Sequence, residues 1–186
     1  HPLRIGQQFQ LSVCAALSVY DLFVKYAADK TCIKWPNDLY WQDRKAGGIL
    51  IESVASGNSD TGAVADQWQW AILGIGININ QVYFPDYLPN PVSLKQVTGS
   101  EFRIIPLAKE LGRHFRRYFD TLVSHGFDEL LALYNRRLYK RNEKVRLKKD
   151  NRAFEVIVKG VSPAGKLIVE HGIEEEINFG EAEWLL

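Results

Sequence analysis

The amino-acid sequence predicts an α+β fold that ends in a small β-barrel. Helix-type and strand-type patterns are mixed over residues 1–140, whereas residues 141–186 hold only short strand-type runs between turn residues. Apolar side chains make up 46% of the 186 residues and aromatic side chains 12%, which is enough for a buried core. We therefore expect two domains, one over residues 1–140 and one over residues 141–186.

A helix and three strands are predicted in the first part of the chain. Residues 7–26 carry apolar side chains at spacings of three and four, which is typical of an amphipathic helix. Residues 31–33 are a short β-prone run, and residues 36–38 supply turn chemistry because proline fixes φ while Asn and Asp bond their own backbone. Two further strands follow at residues 39–41 and 49–54.

The middle of the chain begins with a predicted mobile loop at residues 55–67, which are rich in Ser, Gly, Asn and Asp. The apolar run at residues 68–77 predicts a central strand. Three prolines make residues 83–93 irregular. Helices are predicted over residues 106–124, with a proline in the first turn, and over residues 127–138.

The last part of the chain predicts four short strands, at residues 144–149, 154–161, 166–171 and 176–179. So many strands in so short a segment indicate a small barrel. Seven basic side chains and two acidic ones fall within residues 140–152. A solvated strand face explains this run by default, and docking of an acidic protein partner or contact with nucleotide phosphates is the alternative.

The composition argues against several classes of protein. A net charge of +1 gives no bulk attraction to nucleic acid or to a membrane surface. No apolar run approaches the roughly 18–20 residues that span a bilayer, and the four histidines lack metal-ligand spacing. Cys14 and Cys32 lie in apolar segments, so we expect free thiols in a reducing compartment. These features predict a cytoplasmic protein without a membrane or nucleic-acid partner.

Lys45, which precedes Gly47 and Gly48, is the first candidate for ligand binding. A lysine ammonium can contact phosphate or carboxylate oxygens where a glycine backbone lets the ligand come close. Such a cation would stabilise the charge that develops at an attacked phosphate. The alternative is an ordinary solvated lysine in a polar turn.

Asn37 and Asp38 form a second candidate group. Mg²⁺ prefers oxygen ligands, and a carboxylate and an amide at a turn can supply them while water completes the octahedron. The alternative is that Pro36, Asn37 and Asp38 form a turn and have no further role.

The segment Gly74-Ile-Gly-Ile-Asn78 is a third candidate. It is not a dinucleotide fingerprint, because the third glycine is absent and no helix pattern follows. Glycines at a strand end permit close approach of a ligand, and Asn78 offers both a donor and an acceptor to an adenine edge. The alternative is a strand end that packs closely on its neighbour.

Taken together, residues 34–38 (Lys-Trp-Pro-Asn-Asp), 44–52 (Arg-Lys-Ala-Gly-Gly-Ile-Leu-Ile-Glu) and 74–78 resemble the signature of the biotin protein ligases, or biotin–[acetyl-CoA-carboxylase] ligases. The three motifs occur in family order and at family spacing, and the resemblance covers the whole chain. It implies a biotin/lipoate ligase-type α+β catalytic domain, related to class II aminoacyl-tRNA synthetases, followed by an SH3-like barrel.

The resemblance also implies a reaction and its participants. Biotin is activated with MgATP to biotinyl-5′-AMP and is then transferred to a lysine of a biotin carboxyl carrier protein, such as the acetyl-CoA carboxylase subunit. ATP, Mg²⁺ and biotin are the implied cofactors and substrate. By family position, Lys45 is the catalytic lysine, which contacts both the biotin carboxyl and the α-phosphate. The remaining implied contacts are biotin with Gly47 and Gly48, adenine with Asn78, the phosphates with Lys34, Asn37 and Asp38, and the metal with Asp38.

One departure from the family pattern bears on activity. The arginine- and glycine-rich loop that covers biotin in the family is absent from this sequence, which also contains no methionine. We therefore expect upstream sequence, and little carrier biotinylation by a chain that starts at His1. Two alternatives stay open: a lipoate or octanoate ligase-type relative, and a non-catalytic truncated ligase that acts as a binding module. Whether the protein forms a homodimer is left undecided.

Overall fold

The computed structural model of the protein describes residues 5–55, 68–150 and 152–185. The described elements are mixed along the chain as predicted. Short 3₁₀ turns at Ile5–Gln7 and Ala28–Lys30 flank the first helix. The helices are α1 (Gln8–Ala27), α2 (Leu94–Thr98), α3 (Ile104–His125) and α4 (Asp128–Arg136). The strands are β1 (Thr31–Lys34), β2 (Asp38–Trp41), β3 (Arg44–Ala55), β4 (Trp68–Ile77), β5 (Lys144–Lys149), β6 (Arg152–Val161), β7 (Leu167–Glu170), β8 (Glu174–Ile177) and β9 (Glu183–Leu185).

The first sheet is antiparallel, with the strand order β1-β2-β3-β4. Helix α1 packs against one face of it and also contacts α3 and α4, so that α1 is buried over most of its length. The opposite face of β3 and β4 is open, because Leu50, Trp70 and Ile72 are all more than half exposed there. Alternation along these two strands thus separates a core face from an accessible face.

The second sheet has the strand order β8-β7-β6-β5-β9, and all its described pairs are antiparallel. The inward-facing side chains of its strands form the core of this part of the chain. The prediction of an α+β chain with a small C-terminal β-barrel is confirmed. The second sheet begins at Lys144, and the domain boundary at residue 140 stays a prediction. The buried apolar residues of this sheet are Leu147, Val156, Val158, Val161, Leu167, Val169 and Ile177.

Two contacts join the first sheet to the rest of the chain at the turn between β1 and β2. The peptide bond between Trp35 and Pro36 is cis. The indole Nε1 of Trp35 donates to the carbonyl oxygen of Gly165 at 2.9 Å, and the hydroxyl of Tyr134 donates to the carbonyl oxygen of Pro36 at 3.0 Å. The turn is therefore held both by α4 and by the C-terminal sheet.

Several predicted boundaries differ from the observed ones. Strand β3 begins at Arg44 rather than at residue 49, because the two glycines belong to the strand and not to a turn. Helix α2 was not predicted, although Ser93 and Gln96 form a capping box at its start. Strand β9 was missed because it has only three residues. The predicted loop at residues 55–67 lies, apart from Ala55 at the end of β3, outside the described residues.

Cys14 and Cys32 are free thiols, as predicted. No helix in the described part of the chain combines the length and the apolarity that a bilayer crossing requires.

Candidate active site

A cavity of about 1220 Å³ brings together residues from both sheets. The turn before β2 and the strands β2, β3 and β4 form one wall. The segment from Phe179 to Trp184 of the C-terminal sheet forms the other. Of the seven residues predicted for the site, five line this cavity: Lys34, Asn37, Asp38, Lys45 and Gly48.

Lys45 and Asp38 form an ion pair in the cavity, with the Nζ atom 2.7 Å from Oδ1. They lie on adjacent strands, and Gly48 is the direct partner of Asp38 in the β2–β3 register. A Cβ atom on Gly48 would come 3.1 Å from Oδ1 of Asp38 and 3.6 Å from Nζ of Lys45. A side chain at position 48 would therefore crowd the Asp38 carboxylate that pairs with Lys45, and glycine avoids this contact.

Gly47 lies at a close contact between β3 and β4, and its predicted contact with biotin stays a prediction. It is buried, and a Cβ atom there would lie 2.6 Å from the carbonyl oxygen of Gly76 on the neighbouring strand. Gly47 is not among the residues that line the cavity. A glycine is needed at position 47 because β3 and β4 approach each other too closely there for a side chain.

Lys34 occupies the cavity wall next to this ion pair. Its Nζ atom lies 5.2 Å from the ring centroid of Tyr40 and 5.2 Å from that of Trp184. Burial lowers the pKa of the Lys34 ammonium below its ordinary value; nearby Asp38 opposes this shift, and Lys45 adds to it. Two aromatic rings thus hold a partly desolvated cation at the edge of the cavity.

Asn37 is bonded to the protein itself. Its Nδ2 donates to the carbonyl oxygen of Ile49 at 2.5 Å, and the backbone N–H of Ile49 donates to the carbonyl oxygen of Asn37 at 3.0 Å. The side chain therefore fixes the turn before β2 against β3. The Oδ1 atom of Asn37 has no part in these two bonds, and its contact with the phosphates stays a prediction.

The side chain of Asn78 is also hydrogen-bonded to backbone groups, and Asn78 does not line the cavity. Its Nδ2 donates to the carbonyl oxygens of Val92 at 3.1 Å and of Lys45 at 3.4 Å. The backbone N–H of Asn78 donates to the carbonyl oxygen of Ala46 at 2.8 Å. The amide thus ties the segment after β4 to the start of β3, and a contact with a base would have to use its carbonyl oxygen. Its role in adenine binding stays a prediction.

A metal ion would have few ligands from the protein. The described residues contain no cluster of three or more His, Cys, Asp or Glu side chains with the geometry for a metal. Asp38 is the carboxylate closest to the two lysines, and Asp43 and Glu183 also line the cavity. This donor set fits Mg²⁺, which is commonly bound through one or two carboxylates together with water and substrate phosphates.

Sequence reasoning did not identify the residues through which the C-terminal part of the chain reaches the cavity. Phe179, Glu183 and Trp184 line it, although they lie more than a hundred residues from the motifs. The available signal was an aromatic residue in a short strand, and such residues are usually part of a core.

The basic run at residues 140–152 is partly neutralised within the protein. Lys149 pairs with Glu181, and Lys140 pairs with Asp43 and Glu143.

Comparison with known proteins supports the resemblance to the biotin protein ligases. Residues 4–65 match the Biotin/lipoate A/B protein ligase family. The bifunctional ligase/repressor BirA of Bacillus subtilis (strain 168) is 29% identical over 164 residues, which cover 87% of this chain and 48% of that protein. The biotin–[acetyl-CoA-carboxylase] ligase of Paracoccus denitrificans is 29% identical over 168 residues, which cover 86% of this chain and 66% of that protein.

The fold comparison agrees. The structure of the biotin protein ligase of Aquifex aeolicus in complex with biotin and ATP matches with a TM-score of 0.76 at 22% identity, over 98% of this chain and 76% of that one. The fold is that of the biotin protein ligases, and the resemblance predicted from the three motifs is confirmed. The chain spans about half the length of the BirA proteins it matches.

Proposed function

We propose that this protein activates biotin with MgATP and transfers it to a lysine of a carrier protein. The observation that carries the proposal is the cavity in which Lys45, paired with Asp38, lies over the bare backbone of Gly48. Lys34 adds a second cation in the same wall. An anionic ligand with phosphate groups fits this combination of two ammonium groups and accessible glycine backbone.

The first step joins a carboxylate to a nucleotide. A carboxylate oxygen of biotin attacks the α-phosphorus of ATP, the bond from that phosphorus to the bridging oxygen breaks, and pyrophosphate leaves. Negative charge develops on the α-phosphate oxygens, and the Lys45 ammonium stabilises it from a fixed position. Asp38 holds Lys45 in place before the substrate arrives. Mg²⁺, when bound, neutralises charge on the phosphate oxygens.

The second step transfers the acyl group to the carrier. The neutral amine of a carrier lysine attacks the carbonyl carbon of biotinyl-5′-AMP, AMP leaves with the bonding electrons, and the amine loses a proton. The carrier is of the biotin carboxyl carrier type, which the name of the Paracoccus relative supports. We place this reaction in the cytoplasm and assign residues 1–140 to the catalytic domain.

Substitution of Lys45 tests the proposal. In the full-length protein, Lys45→Ala should reduce biotin-dependent ATP–pyrophosphate exchange by roughly 100-fold or more, the loss expected for a preorganised electrostatic contact. Lys95 is a matched control, because it also forms a lysine–carboxylate pair, with Glu101, outside the cavity. Lys95→Ala should exchange at the wild-type rate. Wild-type exchange by a folded Lys45→Ala variant would remove Lys45 from the mechanism.

The same assay separates the alternatives. A lipoate ligase-type relative would exchange pyrophosphate with lipoate or octanoate and not with biotin. A binding module without catalysis would bind carrier or nucleotide and give no exchange with any of these acids. The motif at residues 34–38 favours the biotin branch, so we expect exchange with biotin.

A further inference from the structure

Lys34 and Lys45 are held in the cavity by different means. Lys45 has a carboxylate partner in Asp38. No ion pair within the described part of the chain includes Lys34, whose ammonium lies instead against the rings of Tyr40 and Trp184. An aromatic ring orients a cation without neutralising its charge. The Lys34 ammonium is therefore not paired with a carboxylate of the described residues when an anion enters the cavity.

The two rings come from different sheets. Tyr40 lies on β2, next to the motif, and is almost fully buried. Trp184 lies on β9, a strand of three residues that pairs with β5. The Trp184 ring also contacts the ring of Tyr139, with centroids 5.9 Å apart. The position of the Trp184 ring thus depends on the C-terminal sheet. The position of the Lys34 ammonium depends in turn on this ring.

We propose that Trp184 is a positioning residue that holds the Lys34 ammonium towards the phosphates of the bound nucleotide. The C-terminal sheet then contributes to nucleotide affinity through this ring. The proposal rests on the proposed function, because it takes the anion in the cavity to be the triphosphate. The C-terminal sheet then acts on the bound nucleotide. Docking of a carrier protein would not require this contact.

A double-mutant cycle tests whether Trp184 acts through Lys34. The probe is the magnesium complex of a non-hydrolysable ATP analogue, and its dissociation constant is measured by calorimetry on the full-length protein. We expect Trp184→Leu to weaken binding by about 5- to 20-fold, in the range of a partly desolvated cation–π contact. Lys34→Met should weaken it at least as much. The double variant should bind no more weakly than Lys34→Met alone.

Two variants control for indirect effects. Trp184→Phe keeps an aromatic ring and should retain most of the affinity, which also guards against a folding defect in Trp184→Leu. Lys30 lies over the ring of Trp41, with Nζ 5.9 Å from the centroid, in a lysine–tryptophan pair outside the cavity. Lys30→Met should leave the affinity unchanged.

Each other outcome overturns the proposal. If the losses from Trp184→Leu and Lys34→Met add in the double variant, Trp184 does not act through Lys34. If Trp184→Leu weakens adenosine as much as the triphosphate analogue, the ring stacks on the base instead. If the wild-type protein binds the analogue but the cycle is additive, only this proposal fails. If the wild-type protein binds no nucleotide, the proposed function fails with it.

Discussion

The two adjacent glycines of β3 allow a direct test of how the site is built. Gly47 and Gly48 differ in what an added methyl group would meet. At position 47 it would lie 2.6 Å from a backbone oxygen of β4, whereas at position 48 it would lie 3.1 Å from a carboxylate oxygen of a side chain. A backbone oxygen within a paired strand cannot move without opening the sheet, but a side chain can rotate away. We therefore expect Gly47→Ala to affect stability and Gly48→Ala to affect activity.

The magnitudes follow from this geometry. Forcing a methyl group into a filled position costs about 1–3 kcal/mol, and replacing glycine by alanine returns about 0.4–1 kcal/mol because the unfolded chain loses freedom. The net loss for Gly47→Ala is roughly 1–2 kcal/mol, or about 2–8 °C in Tm for a chain of this size. Gly48→Ala should unfold within about 0.5 kcal/mol of the wild type.

Urea unfolding and biotin-dependent ATP–pyrophosphate exchange measure the two effects separately. Gly48→Ala should lose exchange activity by about tenfold or more, because the Asp38 carboxylate that holds the Lys45 ammonium must move. Gly112→Ala in α3 is the control outside the cavity, since a methyl group there would meet no other group of the described residues within 4 Å. It should change neither quantity strongly. Equal unfolding midpoints for Gly47→Ala and Gly48→Ala would refute the reasoning.

Two further predictions concern the other residues of the site. Asn78→Ala should weaken ATP by about tenfold and biotin much less, because a lost polar contact to the base mainly affects the nucleotide; calorimetry that showed the reverse order would put the adenine elsewhere. Lys34→Met should raise the free energy of unfolding at pH 7, because the folded state holds a lysine whose pKa is lowered by burial. The wild type gains stability as pH rises through that lowered pKa towards the usual value of 10.5, so the difference between the two proteins should shrink over this window. A difference in unfolding free energy that stays constant from pH 7 to pH 10.5 would contradict this account.

The long elements could be predicted from the sequence because their periodicity is strong. Helix α1 begins and ends within one residue of the range predicted from its apolar spacing. Strand β4 has the bounds that its apolar run indicates. The start of β3 could not be predicted, because Gly47 and Gly48 have turn propensity in sequence and become strand residues only through pairing with β2 and β4. Tertiary pairing overrides local propensity at this point.

The sequence predicted most residues of the site, but it did not predict the hydrogen bonds among them. The three motifs indicate Lys34, Asp38 and Lys45, and the structure brings these residues together in one cavity. An asparagine in sequence does not reveal whether its amide will meet a ligand or a backbone carbonyl. Asn37 and Asn78 both donate to the backbone, which no spacing rule could have shown. Trp184 was missed because its position in the cavity depends on how the second sheet packs.

The different partners of the two lysines also explain how the cavity can hold them side by side. The charges of Lys34, Lys45 and Asp38 sum to +1 (two positive and one negative). Two unpaired ammonium groups in a partly buried wall would repel each other, and Lys45 does contribute to the lowered pKa of Lys34. Asp38 reduces this repulsion by pairing with Lys45, while the rings of Tyr40 and Trp184 stabilise Lys34 without cancelling its charge.

The folded protein thus tolerates this group of three charges without a ligand. It still presents a net positive charge to a ligand that enters the cavity. On the proposed function, this net charge attracts the polyphosphate of the nucleotide. On this account Asp38→Asn would leave Lys45 unpaired beside Lys34 and cost stability, even though it makes the cavity more positive.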